Sequence, residues 1–434
     1  MKKNVKKYHY VIGLVTVIIV VVIVSLTYES SQMVKNNVES TVNELTINYQ
    51  EQLVTFNQHL NDFNRTAIGQ PYVSDDKRYL VIDTVRSGIQ DYDDIKTYLF
   101  DFREGKVIEL EGNIAAWTGN SIWVLNYKNN IATWYTMVSG LPEFIASFNL
   151  TSEVAYHFVV SPNEQYTAIS GGGISILGRD NTVSVINTNP EAMAYVWKGD
   201  NITLVGTIPN PDRDILPEEE FYGPLDNLLV TFDRTTKEYT PYIENTELSS
   251  PRDLSWIKQD TSLLVNSGFD DGSFDEIFLP TEGIVNAIGE TSGAIEGRFV
   301  DTKNNSFIVM GEFYPEDFDF NTNNTSTLEL RIYNDKGILD YQYVFEDESF
   351  VNFLNVRREG NTIWFVARIP GETPSYQIGS LDMTEDTVHF EPEIRSDTYI
   401  TFEILHDNQL LVQRETRLEI IPTKTPESKE KNLQ

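Results

Sequence analysis

The stretch VVSPNEQYTAIS at 159–170 reads as a strand, a polar turn and a second strand, and this unit recurs along the chain. It returns as YVSDDKRYLVI (72–82), AAWTGNSIWVL (115–125), YVWKGDNITLV (195–205) and LSWIKQDTSLLV (254–265). Further on come FVDTKNNSFIVM (299–310), NVRREGNTIWFV (355–366) and EILHDNQLLVQ (403–413). The turns fall near 76, 120, 163, 200, 260, 304, 359 and 407. Most intervals are about 40–50 residues, the period of a four-stranded propeller blade. A third strand ending in a small turn follows each unit, as in TYLFDFREGKVIEL and RIYNDKGILDYQYVF.

From Pro71 onward the segments are short and rich in Val, Ile, Tyr, Phe and Trp, bounded by Gly, Asn, Asp and Pro, which is strand composition. No amphipathic helix interrupts them, so a parallel α/β sheet is excluded. With 40% hydrophobic and 12% aromatic residues the chain can build a core. A pair of β-sandwiches explains alternating strands but not the period. The SPNEQYTAIS and WKGDNITLV turns resemble the degenerate repeats of TolB-like and tryptophan–aspartate-type β-propellers. They also resemble the propeller of the dipeptidyl-peptidase family, which follows a short cytoplasmic tail and a membrane anchor. The resemblance covers about residues 70–422 and implies an all-β protein with a seven- or eight-bladed β-propeller. The last unit, TYITFEILHDNQLLVQRETRLEIIP, holds three strands before a polar tail at 423–434. RTAIGQ, at 65–70, is expected to supply its fourth strand and close the ring, which would remove exposed sheet edges.

Ahead of the repeat lie three further segments. Residues 1–10 carry Lys2, Lys3, Lys6 and Lys7, and residues 11–27 are uncharged and rich in Val and Ile. A bilayer core needs about 17–25 such residues, and the lysines place the N-terminus in the cytoplasm. SLTYESSQM offers no small-x-small cleavage site, which favours an uncleaved transmembrane helix over a signal peptide. Residues 28–66 are read as a helical stalk. Val34, Val38, Val42, Leu45, Tyr49, Leu53, Phe56, Leu60 and Phe63 recur at steps of three and four. Such a stripe packs on the downstream domain or on a second copy as a coiled coil; tyrosine and phenylalanine on the seam favour the former.

Beyond residue 27 there are 29 basic against 65 acidic residues, a formal charge of −36. That argues against nucleic acid and anionic lipid as partners of the propeller and towards cations, basic partners or plain solubility. The absence of cysteine excludes disulfides, thiolate zinc sites and a cysteine nucleophile. No G-x-S-x-G pentapeptide is present, so the proteolysis of the dipeptidyl-peptidase family is not expected. The five histidines are scattered, without a spaced partner.

The connections between second and third strands vary most in length, and in a propeller equivalent loops emerge on one face. They include 84–96, 170–181, 209–227, 267–276, 311–327 and 368–375. Acids and aromatics travel together in them. Tyr92, Asp93, Asp94, Glu219, Glu220, Phe221, Tyr222, Asp270, Asp271, Phe313, Tyr314, Asp317, Phe318 and Asp319 are the expected contact residues. Asp317, Asp319, Asn321 and Asn323 also alternate as calcium ligands do. Thr322 stands where an EF-type loop needs Gly and Leu328 where it needs Glu, so only a looser structural calcium site stays open. No other cofactor is expected.

These features describe a membrane-anchored extracytoplasmic binding or scaffolding module of a bacterial envelope, engaging a protein or cell-wall polymer. The alternative is a glycan-active propeller enzyme with carboxylates as acid and base.

Overall fold

The computed structural model describes residues 47–423 apart from 88–93, 127, 151–157, 171–173, 187–193, 211–226, 243–250, 270–271, 280–282, 288–296, 314–326, 346–351, 372 and 407–408. Eight antiparallel sheets follow one another along the chain: sheet I (65–111), II (113–149), III (158–186), IV (194–241), V (251–287), VI (297–344), VII (352–396) and VIII (400–422). Within each, hydrogen-bonded neighbours are neighbours in sequence, with no crossover. Sheets I to VII have four strands and sheet VIII has three. From sheet II onward the first strand packs beside the first strand of the next sheet, and that of sheet VIII lies beside that of sheet I. Sheet I meets sheet II through its second, third and fourth strands. This meander of sheets returning on itself is a β-propeller.

The second strand of each sheet is sandwiched between two neighbouring sheets, which demands apolar residues on both faces. Hence the continuous runs Leu80–Val81–Ile82, Ile122–Trp123–Val124, Phe307–Ile308–Val309–Met310 and Phe365–Val366–Ala367, every one of these side chains 0–1% exposed. Outer strands alternate instead, as in Leu339–Val344 and Lys106–Glu111. Seven apolar clusters join sheet I to II, II to III and so on to VIII. Between II and III, Trp123 stacks on Trp134 at 5.3 Å and meets Phe158 at 5.2 Å.

The recurring turn is in every case the connection between first and second strands. It puts one residue in the left-handed region: Lys77, Gly119, Glu164, Asn201, Asp260, Asn305 and Gly360 each have φ between 48° and 58°. That requirement explains the Asn, Asp and Gly there. Ser74 and Ser161 close their turns identically, each hydroxyl donating to the residue two on (Asp76, 2.6 Å; Asn163, 2.8 Å) and accepting an amide five on. At the turn between third and fourth strands, Asp101, Asp233, Asn334 and Asp382 each accept the amide two residues later, at 2.6–2.9 Å. Part of the acidity is therefore turn chemistry.

Ring closure differs from the sequence expectation. RTAIGQ does not complete sheet VIII; it lies in the first strand of sheet I, Arg65–Val73, pairing with Tyr79–Arg86. Helix α1 (Tyr49–Asp62) instead occupies the junction. It packs on the last strand of sheet VIII (Arg417–Pro422) and the first strand of sheet I. Its stripe Tyr49, Leu53, Phe56 and Leu60 is buried, each 0–4% exposed. Phe56 stacks on Phe100 at 4.9 Å and Tyr49 meets Phe102 edge-on at 5.0 Å. The Asn57 amide donates to the Leu418 carbonyl at 3.0 Å, giving the edge strand a partner. The stripe thus serves packing on the propeller over 49–62, and residues 28–46 lie outside the described residues. The same is true of 1–27 and of the tail from 424; no helix among the described residues is long and apolar enough to cross a membrane.

Two expected loops are strands. Ile174–Gly178 is the third strand of sheet III, and Ser262–Phe269 and Gly272–Leu279 form a tight hairpin in sheet V. Each pairs along its length with the strand before it, Tyr166–Ser170 with Ile174–Gly178 and Leu263–Phe269 with Gly272–Phe278. The connections 87–95, 210–226 and 314–326 remain long.

Candidate binding face

Antiparallel meanders send two sets of connections to opposite ends. One end receives the turns between first and second and between third and fourth strands; the other receives the second-to-third connections and the sheet-to-sheet links. At the first end the turns are tied to each other. Glu164 accepts the Asn120 amide at 3.0 Å and the Ser121 hydroxyl at 3.2 Å, stapling sheet III to II. Asn201 accepts the Asn163 amide at 3.0 Å, and Asp260 accepts the Gly199 amide at 3.0 Å. Just behind, Trp197 Nε1 donates to the Val159 carbonyl at 2.8 Å and Trp256 Nε1 to the Trp197 carbonyl at 2.7 Å. These polar groups are used by the fold.

The opposite end carries the long connections. Of the expected contact residues, Tyr92, Asp93, Glu219, Glu220, Phe221, Tyr222, Asp270, Asp271, Tyr314, Asp317, Phe318 and Asp319 lie outside the described residues, as do Asn321 and Asn323. Two are described, and both serve structure. Phe313 is 1% exposed and packs with Ile257, Leu264 and Phe307, the Arg331 guanidinium lying 3.7 Å from its ring centroid. It ends a strand whose alternate side chains, Phe307, Val309 and Phe313, are buried between sheets V and VI, which corrects its assignment to a contact surface. Asp94 is held by Arg65 and Arg86 at 3.5 and 3.4 Å and accepts the Arg86 amide at 3.1 Å. It pins the connection between the second and third strands of sheet I. Among the described residues no group of three or more potential metal ligands converges.

Beside Asp94 a pocket of about 290 Å³ opens between sheets I and II. It is lined by the start of the third strand of sheet I (Lys96), the link between the sheets (Glu111–Asn113) and Leu125, Asn126, Lys128 and Asn129 of sheet II. Gly112 makes this geometry. Its φ is +121°, and a Cβ there would stand 2.2 Å from the Leu125 carbonyl oxygen. Only glycine lets the link lie against that strand. Below the pocket the Thr97 hydroxyl bridges the Gly112 carbonyl at 3.1 Å and Asp83 at 2.6 Å. Asp83 also accepts the Ile114 amide at 2.9 Å, tying sheet I to II. Burial pushes its carboxyl up to about 6, against the opposing effect of those two hydrogen bonds. Burial raises Glu109 too, but hydrogen bonds from Lys96 and Tyr98 outweigh this and hold it below its usual range.

A second polar group joins the first strands of three successive sheets. Glu403 of sheet VIII accepts from Gln70 of sheet I at 3.2 Å and from Arg357 of sheet VII at 3.0 Å. The sequence expectations missed both this group and the pocket. The group joins residues more than 300 positions apart, and the pocket joins three segments of two consecutive sheets, with an amide-rich hairpin, Asn126 to Asn130, as the one local sign.

No protein-family profile and no curated protein matches the chain. Among solved structures, the Dos1 propeller is similar at 9% identity, over 80% of this chain and 90% of that one, with a TM-score of 0.49. Chaetomium thermophilum Sqt1, bound to the N-terminus of the ribosomal protein L10, is similar at 10% identity over 80% and 94%, with a TM-score of 0.47. The propeller domain of the Trilobed protease from Pyrococcus furiosus is similar at 12% identity over 82% and 92%, with a TM-score of 0.37. Likeness at this level decides nothing about function, and the propeller assignment rests on the order and closure of the sheets.

Proposed function

We propose that this chain is a non-enzymatic binding or scaffolding module of a bacterial cell envelope, an eight-bladed propeller held at the membrane by residues 11–27. The difference between its two ends carries the reading. At one end the turns are short and bonded to each other; at the other, connections as long as 210–226 and 314–326 leave a rigid scaffold. Long loops on a rigid frame are where binding resides. These two hold acids among aromatics, Glu218–Tyr222 and Tyr314–Phe320, a composition suited to a basic or amide-rich surface on a protein or cell-wall polymer. The lysines at 2, 3, 6 and 7 ahead of the apolar run support an N-terminus in the cytoplasm and a propeller outside it.

The test is crosslinking in intact cells with the full-length chain, followed by identification of what co-purifies. Variants lacking 211–226 or 314–326 should fold and lose the specific partners. Recovery of the same partners from both variants would remove the loop face from the proposal. Protease protection of an N-terminal tag in intact cells, with digestion of the propeller from outside, is the expected topology result.

A further inference from the structure

The pocket between sheets I and II has a chemistry that the long loops do not share. Of its four charged side chains, two are engaged: Asp94 by Arg65 and Arg86, and Lys96 by Glu109. The other two, Glu111 and Lys128, are exposed and have no ion-pair partner among the described residues. Glu111 belongs to the link between the sheets and Lys128 to the hairpin of sheet II, so the pocket presents a carboxylate and an ammonium from different elements. Amides fill in around them. Asn113 Oδ1 is buried without a hydrogen-bond partner, while Asn126 Oδ1 fixes its own hairpin by accepting the Asn129 amide at 3.1 Å.

We propose that this pocket binds a small zwitterion of amino-acid or dipeptide size, with its ammonium at Glu111 and its carboxylate at Lys128. About 290 Å³ is the lower end of ligand-site volumes, which excludes a drug-sized or polymeric occupant and admits one or two residues. The apolar lining is slight, Ile95 and Leu125, so affinity rests on charge and hydrogen bonds. The floor is stiff, because Gly112, Thr97 and Asp83 are bonded in series beneath it. The site lies apart from 211–226 and 314–326 in sequence and does not depend on the partner those loops engage.

The experiment is calorimetric titration of the detergent-solubilised full-length chain with alanyl-alanine at millimolar concentration, beside its N-acetylated and C-amidated forms. Free dipeptide should bind saturably, and either blocking group should weaken it about tenfold, since each removes one of the two charges that the pocket engages. Glu111→Gln should abolish the penalty for N-acetylation and keep that for amidation; Lys128→Gln should do the reverse. Both side chains are exposed, so the variants fold, as an unchanged circular-dichroism spectrum verifies. Absence of saturable binding by the folded wild type would overturn the proposal. So would binding that ignores both blocking groups, or that neither substitution alters. The 211–226 deletion should keep dipeptide binding, which separates failure of this site from failure of the loop face.

Discussion

Replacing Phe56 by alanine tests how the ring is closed. The side chain is fully buried, stacks on Phe100 with ring centroids 4.9 Å apart and meets Tyr98 at 6.5 Å. Truncating a buried phenylalanine costs about 3–5 kcal/mol from lost transfer energy and the cavity left behind. Here the loss falls on one junction, because α1 packs on the last strand of sheet VIII and the first strand of sheet I. Without it the strand Arg417–Pro422 becomes an unprotected edge. Hydrogen exchange on the full-length chain should then show amides of residues 409–422 exchanging roughly 10²–10³-fold faster or more, at about 1.4 kcal/mol per decade. Residues 306–313 in sheet VI should keep their protection. Val54→Ala, at a position 66% exposed on the same helix, is the control and should change exchange by less than about threefold. Asn57→Ala, which removes the partner of the Leu418 carbonyl, should fall between them at about 1 kcal/mol. Equal exchange in Phe56→Ala and Val54→Ala would refute the latch and return the helix to the role of a free stalk.

Three further outcomes follow from the junction of sheets I and II and the stapled turns. Asp83 ionises near 3.8 when unfolded and near 6 when folded, so its burial favours the native state at low pH, and this contribution of about 3 kcal/mol is lost as pH rises from roughly 4 to 6. Asp83→Asn keeps an acceptor for Thr97 and Ile114; its melting temperature should match wild type near pH 4 and exceed it at pH 8, and a difference independent of pH would contradict the assignment. Gly112→Ala must strain a φ of +121° and move the Leu125 carbonyl, so its urea midpoint should drop by the equivalent of about 2 kcal/mol or more; a change under about 0.5 kcal/mol would mean the link does not lie where described. Glu164→Ala leaves the fully buried Ser121 hydroxyl and the Asn120 amide unpaired, an expected loss of about 1–3 kcal/mol that Glu164→Gln should partly restore, both read from the same urea midpoints.

Some properties were legible because they are local. A left-handed turn residue between two apolar runs is a requirement of a few consecutive positions, and each such turn does join the first two strands of a sheet. Spacing those turns by four strands dictates the repeat, and the stripe Tyr49, Leu53, Phe56 and Leu60 announces one buried helix face. The three-strand count of the last sheet was readable for the same reason. What covers its edge was not: a strand at Arg65 can pair with whichever edge the ring brings near, and it pairs within sheet I, leaving α1 to fill the gap. Loop or strand was equally undecided for Ile174–Gly178, since a short apolar run takes its state from its neighbours. Phe313 looked like a surface aromatic beside an acidic loop, yet it is buried because sheets V and VI close over it. The pocket lies furthest from sequence reading. Glu111, Asn113 and Lys128 acquire a common purpose only when two sheets meet and Gly112 lets the chain pass between them.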